Sequence, residues 1–104
     1  MGITVENSKD TVKFIINGPF AVDEAAYFRK EAYRFLEKDN KKFFIDFSNC
    51  TFIDSTGLGM LVSVYKKCAE RNVKLIIASI KNEKVLKVFQ LTRLDKVFDI
   101  CESC

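Results

Sequence analysis

The segment 54–59, which reads Asp-Ser-Thr-Gly-Leu-Gly, contains the residues of this chain whose types and spacing best suit a chemical or binding site. It follows an apolar stretch and precedes an amphipathic one, so it is predicted to join a strand to a helix. Ser55 stands where the N-cap of that helix belongs, beside backbone N–H groups that lack helical partners. A glycine inside the first helical turn costs about 1 kcal/mol relative to alanine. Gly57 and Gly59 therefore predict close approach by neighbouring backbone or by a partner.

The residues around this segment do not match three common catalytic or nucleotide-binding motifs. Gly57-x-Gly59 is followed by Val62 where a dinucleotide-binding fingerprint needs glycine, and the chain has no G-K-[ST] for a P-loop. Ser55 is not enclosed by G-x-S-x-G, and a chain without histidine lacks the usual base for a serine nucleophile. We expect no enzyme and no catalytic residues, with nucleotide binding as the weakest hypothesis. Two possible roles are left for Ser55, namely helix capping and covalent modification.

The cysteines predict neither a metal site nor a cofactor. Cys101 and Cys104 form a single C-x-x-C, whereas a structural zinc site needs four ligands and this chain has no histidine and no second C-x-x-C. We expect them to lie in a frayed tail. Cys50 and Cys68 occur within apolar patterns and are predicted to be small buried hydrophobic residues.

Composition and chain length indicate one globular domain over residues 1–104. The chain is 48% hydrophobic and 30% charged, which is typical of a folded domain. No apolar run approaches the roughly 20 residues that a membrane span needs, and no basic region precedes an apolar stretch at the N-terminus. We therefore expect a cytoplasmic protein that does not bind membranes.

The net charge of +3 is too small to predict nucleic-acid binding. Aromatic residues are not interleaved with the cations in the manner of single-strand binders either. The excess of positive charge is concentrated in residues 66–96, which contain nine Lys or Arg and three acids. Two interpretations stay open: a solvated helix face, which is the more common case, or a docking surface for an acidic partner.

The predicted elements alternate after an opening hairpin. In chain order they are strands at 4–5 and 11–16, a helix capped by Asp23 and closed at 39–40, a strand at 43–47, a helix from Leu58, a strand at 73–78, a helix from Asn82 to near Thr92, and a strand at 97–100. The run Asn-Gly-Pro at 17–19 is predicted to end the second strand. The strands at 43–47 and 73–78 are nearly all apolar, as in strands covered on both faces. This order predicts an α/β fold with a mixed, largely parallel sheet packed against helices.

The stretch 52–59, with the helix after it, resembles the STAS domain of bacterial anti-sigma factor antagonists. The similarity is greatest to the antagonists of sporulation and general-stress sigma factors. Two further stretches match the family, at 36–39 and 91–98, and the resemblance spans nearly the whole chain. It implies a mixed sheet with helices packed against it, in agreement with the element order.

The resemblance also implies a partner switch. In this family an unphosphorylated antagonist binds an anti-sigma factor that is also a serine kinase, and thereby releases the sigma factor. The kinase then phosphorylates the antagonist, and a PP2C-type phosphatase reverses the modification. Ser55 is implied to be the phosphoacceptor. The implied partner-binding residues are Asp54, Thr56, Gly57, Leu58 and Gly59, together with Asp23. We expect a monomer or a weak dimer without direct nucleic-acid contact.

One departure from the family concerns the loop beside the phosphoacceptor. Kinase substrates of this family commonly carry Gly-Glu-Leu-Asp or Gly-Glu-Ile-Asp after the second strand, whereas this chain has Gly-Pro-Phe-Ala at 18–21. Both acids are thus missing, at Pro19 and Ala21. Asp23 and Glu24 either substitute for them or cap the helix, and capping is the favoured interpretation.

The missing acids leave open whether Ser55 is phosphorylated and by which kinase. The alternative is a STAS scaffold, or an accessory subunit of another signalling or lipid-transport complex, that works without phosphorylation.

Overall fold

The computed structural model describes residues 2–102, and its elements follow the order predicted from the sequence. An antiparallel hairpin comes first, and helices and strands alternate after it. The elements are β1 (Ile3–Ser8), β2 (Thr11–Phe20), α1 (Val22–Leu36), β3 (Lys42–Ile53), α2 (Ser55–Glu70), β4 (Lys74–Ala78), α3 (Glu83–Leu91), a 3₁₀ turn (Leu94–Lys96) and β5 (Asp99–Cys101).

The five strands form one sheet in the order β1-β2-β3-β4-β5. β1 pairs with β2 in antiparallel fashion, and the other neighbours pair in parallel. This confirms the predicted mixed sheet. Because β2 and β3 are parallel, α1 and α2, which follow them, begin at the same edge of the sheet. That edge carries the segment 54–59.

The helices cover one face of the sheet only. Along β3, Phe43, Ile45 and Phe47 are fully buried, while Phe44 and Asp46 between them are half-buried. The prediction that β3 is covered on both faces is therefore wrong. The ammonium of Lys42 lies 5.4 Å from the centre of the Phe44 ring on the open face. Because Phe44 is apolar although it lies on the open face, the sequence of β3 shows an almost unbroken apolar run even though only one face is buried.

β2 is longer than predicted, because it continues through Asn17, Gly18 and Pro19 to Phe20. β1 accompanies β2 only as far as Ile16, so the end of β2 has a neighbouring strand on one side. A proline is tolerated at such an edge position. Gly18 takes a φ of 98°, which favours glycine.

The extended end of β2 is held in place by aromatic packing. The Phe20 ring lies 5.4 Å from the ring of Phe28 in α1 and 5.8 Å from that of Phe47 in β3. All three side chains are fully buried. The position of Phe20, and of the chain around it, is therefore fixed by the core.

The last strand differs from the prediction of 97–100. It spans Asp99–Cys101, and it follows the 3₁₀ turn (Leu94–Lys96) after two further residues, Val97 and Phe98. Cys101 is not frayed, because it pairs with Ala78 and its carbonyl accepts a hydrogen bond from Ser79 N at 2.7 Å. Cys104 lies outside the described residues. The predicted burial of Cys50 and Cys68 is confirmed, at 2% and 1% exposed.

Candidate functional site

The first turn of α2 begins one residue earlier than the serine cap predicts. Asp54 is the N-cap, with an extended backbone, and its Oδ1 accepts a hydrogen bond from Gly57 N at 2.7 Å. Ser55 is the first helical residue, so the predictions of a Ser55 cap and of a helix starting at Leu58 are wrong. Aspartate and serine are about equally good N-caps, and only the backbone conformation decided between them.

This register leaves the Ser55 side chain exposed at the very start of the helix. Within residues 2–102, the backbone N–H groups of Ser55 and Thr56 have no hydrogen-bond acceptor. Unpaired N–H groups and the helix dipole make such a position favourable for negative charge. The hydroxyl of Ser55 is thus reachable from solvent, and its surroundings tolerate an anion.

The two glycines of the segment have different surroundings. A β-carbon at Gly57 would collide with the carbonyl oxygen of Phe20 and come within 3.1 Å of Ile53 Cγ1. A β-carbon at Gly59 would meet no atom within 4 Å. Close approach by neighbouring backbone, one of the two predicted causes, therefore explains Gly57. Gly59 lies in open space on the exposed side of α2.

The start of α1 also differs from the prediction. The N-cap position is Ala21, and Glu24 Oε1 accepts a hydrogen bond from Ala21 N at 3.3 Å. Asp23 is therefore not the cap but an exposed residue in the first turn. Since α1 and α2 begin at the same sheet edge, Asp23 and Ser55 lie at one end of the molecule. Thr56 and Leu58 are half-buried there.

Two β-bulges in β3 shape the approach to this end. Ile15 and Asn17 of β2 pair with Asp46 and Asn49, which adds one residue to β3. A second extra residue, Thr51, lies between the partners of Gly18 and Pro19. Along β3, the spacing between consecutive buried residues therefore widens from two positions to three. The buried residues are Phe43, Ile45, Phe47, Cys50 and Ile53.

The bulges turn Ile53 into the core and Phe52 towards solvent, where it is 52% exposed. Sequence reasoning missed this exposed ring, because simple alternation does not predict bulges. Phe52, Ile53, Lys84, Val85 and Val88 line a groove of about 170 Å³ between the end of β3 and α3, which we call the β3–α3 groove.

α3, which packs against β3, begins with a cap that the sequence predicts correctly. Asn82 Oδ1 accepts hydrogen bonds from Lys84 N at 2.9 Å and from Val85 N at 3.1 Å. The helix ends at Leu91 with Thr92 as its C-cap, which agrees with the predicted end near Thr92. These bonds hold the first turn of α3 and hence one wall of the groove.

In the part of the chain that the structure describes, no group of three or more Cys, Asp or Glu side chains is placed to hold a metal ion. Asp46 accepts a hydrogen bond from Ser48 N at 2.9 Å, and Asp54 is occupied by its cap bond, so each carboxylate serves local backbone. Burial raises the pKa of the Cys50 thiol above its ordinary value. No helix within residues 2–102 is both long and apolar enough to cross a membrane.

Known proteins with similar sequences and structures agree with this architecture. The STAS domain family matches residues 2–104. A Thermotoga maritima protein provisionally named an anti-sigma factor antagonist is 32% identical over 95 residues, which are 90% of this chain and 83% of that protein.

Two solved structures are also similar. A crystal structure of a provisionally named anti-sigma factor antagonist from Thermotoga maritima has a TM-score of 0.87 at 28% identity, covering 97% of this chain and 86% of that one. SpoIIAA, a Bacillus cell fate determinant solved in its phosphorylated form, shares the fold, with a TM-score of 0.76 at 17% identity over 94% and 89% of the two chains. The family match over nearly all residues, together with the fold, shows that this chain belongs to the STAS domain family.

Proposed function

We propose that this chain is an anti-sigma factor antagonist whose binding to an anti-sigma factor kinase is switched off by phosphorylation of Ser55. The observation that carries the proposal is the exposed Ser55 hydroxyl at the first position of α2. The name of the Thermotoga relative and the phosphorylated form of SpoIIAA support it.

A phosphate on Ser55 would leave the fold intact. It adds a charge of about −1.5 to −2 and three acceptor oxygens. The neighbouring N–H groups of Ser55 and Thr56 are unpaired within the described residues and can donate to those oxygens. The modification therefore acts on the partner interface and not on the core.

The size of the effect at the interface is sufficient for a switch. A doubly charged group about 6 Å from a partner carboxylate costs about 1–5 kcal/mol at effective dielectric constants of 20 to 80. Each 1.4 kcal/mol is about a tenfold change in affinity. A micromolar complex would therefore dissociate at ordinary cellular concentrations.

The partner surface in this proposal comprises the beginnings of α1 and α2. Asp54, Thr56 and Leu58 surround Ser55, and Asp23 is the exposed acid at the same end. With neutral residues at Pro19 and Ala21, Asp23 supplies the negative charge that faces the kinase. A PP2C-type phosphatase would restore the unmodified state.

The proposal is tested with purified proteins. Each anti-sigma factor kinase encoded in the source genome is titrated by calorimetry with the wild type, Ser55→Ala and Ser55→Asp, and Thr56→Ala serves as the matched hydroxyl control. We expect one kinase to bind Ser55→Ala and Thr56→Ala well, and Ser55→Asp about tenfold or more weakly. Incubation with ATP should place phosphate on Ser55, as read by mass spectrometry.

Two results would contradict the proposal. One is that no anti-sigma factor binds any variant. The other is that binding is indifferent to Ser55→Asp and no phosphate reaches Ser55, which would favour an accessory subunit that works without phosphorylation.

A further inference from the structure

The β3–α3 groove combines a buried apolar floor with an exposed rim. Ile53 and Val85 form the floor and are 4% and 1% exposed. Phe52 and Lys84 form the rim. A half-exposed phenylalanine beside a preformed apolar depression is a common feature of protein docking sites, because covering it removes apolar surface from water.

The apolar surface continues along α3 beyond the groove. Lys84, Val88 and Leu91 are spaced i, i+4 and i+7, so they share one stripe of the helix. Leu91 is 74% exposed. Single exposed apolar residues are ordinary, but here Phe52, Val88 and Leu91 form a strip, with a lysine at its head.

The charge around the strip is one-sided. Residues 81–96 contain five Lys or Arg and two acids, a net charge of +3. The rest of the chain contains 12 of each sign, so the whole net charge of the protein lies in this segment. Lys84 and Lys87 are both exposed on α3. An occupant of this surface therefore gains from carrying carboxylates.

We propose that the β3–α3 groove docks an acidic amphipathic segment of the partner protein, with an apolar side chain in the groove and carboxylates facing Lys84 and Lys87. An amphipathic helix laid into an apolar groove is a recurrent recognition mode. In naming the anti-sigma factor as that partner, the inference rests on the proposed function. The groove adjoins the Ser55 site, because Ile53 lies against Gly57 in the first turn of α2. One partner can therefore contact both surfaces.

The first experiment needs no identified partner. A synthetic amphipathic peptide with leucines at i, i+4 and i+7 and glutamates beside them is titrated into the isotope-labelled protein and followed by NMR. A second peptide carries lysines in place of the glutamates. We expect the acidic peptide to shift the resonances of Phe52, Lys84 and Val88, and the basic peptide to bind about tenfold more weakly or not at all.

Matched variants locate the binding. Lys84→Glu should weaken the acidic peptide about tenfold, whereas Lys30→Glu, the same charge change at an exposed site on α1, should leave it unchanged. Phe52→Ala should weaken it about tenfold to thirtyfold, because an aromatic side chain that fills a pocket carries a large share of the binding energy. Unfolding curves confirm that each variant folds.

The second experiment uses the anti-sigma factor that binds Ser55→Ala. Phe52→Ala and Lys84→Glu should each reduce its affinity about tenfold, in addition to the effect of Ser55→Asp. Binding that responds to Ser55→Asp but not to these groove variants would overturn the docking inference and leave the proposed function standing.

The docking inference can still be tested if the proposed function fails. If no anti-sigma factor binds, the peptide titration alone decides, and equal or stronger binding of the basic peptide overturns the inference. Self-association that Phe52→Ala abolishes, measured by sedimentation, would also overturn it by making a second copy the occupant.

Discussion

The carbonyl oxygen of Phe20 lies directly against the α-carbon of Gly57, in the space where any other residue would place its β-carbon. Phe20 ends β2 and is anchored in the core by its ring, while Gly57 belongs to the first turn of α2. The contact locks the start of α2 against the end of β2. The exposed Ser55 lies two residues before this contact.

The first prediction concerns this contact. Gly57→Ala should lower the free energy of unfolding by about 1–3 kcal/mol, because the added methyl group overlaps a backbone carbonyl that cannot move freely. Gly59→Ala, in the same helical turn but in open space, should raise it by up to about 1 kcal/mol. Urea unfolding measures both. Equal effects of the two substitutions would show that the Phe20 contact does not constrain position 57.

The second prediction concerns the cap of α2. Asp54→Ala removes the acceptor of the Gly57 N–H bond and should cost about 0.5–2 kcal/mol of stability. Asp54→Asn keeps an oxygen acceptor and should cost much less. Thermal unfolding of the three proteins is the measurement, and a loss of equal size in Asp54→Asn would assign the effect to charge and not to capping.

A third prediction separates stability from binding at Ser55. The free energy of unfolding of Ser55→Asp should exceed that of Ser55→Ala by about 0.3–1 kcal/mol at low salt, because a helix N-terminus favours negative charge. The difference should shrink as salt is added. A markedly less stable Ser55→Asp would show that a negative charge at position 55 disturbs the fold.

The fourth prediction concerns the link between α1 and α2. Tyr33 Oη and Ser63 Oγ are hydrogen-bonded at 2.9 Å. The pKa of Tyr33 lies below its ordinary value, and this hydrogen bond is the largest cause of the shift. Ser63→Ala should therefore raise the pKa of Tyr33, as followed by the ultraviolet absorbance of the phenolate. A double-mutant cycle with Tyr33→Phe should give a coupling of about 0.5–1.5 kcal/mol. An unchanged titration in Ser63→Ala would show that the bond is not formed in solution.

The fifth prediction is a pH dependence. Burial raises the pKa of the Cys68 thiol to about 12, from an ordinary value of 9.0. The folded state thus favours the protonated thiol, and its contribution to stability is complete below pH 9 and is lost as the pH rises towards 12. Wild-type protein should lose more stability between pH 8 and pH 11 than Cys68→Ala, as measured by urea unfolding at each pH. Parallel pH profiles of the two proteins would contradict the shifted pKa.

The amino-acid sequence by itself determined the order of elements, the cap at Asn82 and the family. Each of these depends on local chemistry: apolar periodicity, the acceptor oxygen of a capping side chain, or a contiguous motif such as 52–59. Ser55, the proposed phosphoacceptor, was visible for the same reason. Its place at the first helical position was not, because Asp54 and Ser55 are equally able caps and the choice depends on backbone conformation.

The tertiary structure alone decided which residues face solvent around the site. Two bulges arise from the pairing of β3 with β2, and they expose Phe52 while burying Ile53. The one-sided covering of the sheet leaves Phe44 half-buried, although its sequence neighbours suggest a core strand. Strand register and helix placement are set by partners distant in the chain, and no local pattern in β3 records them.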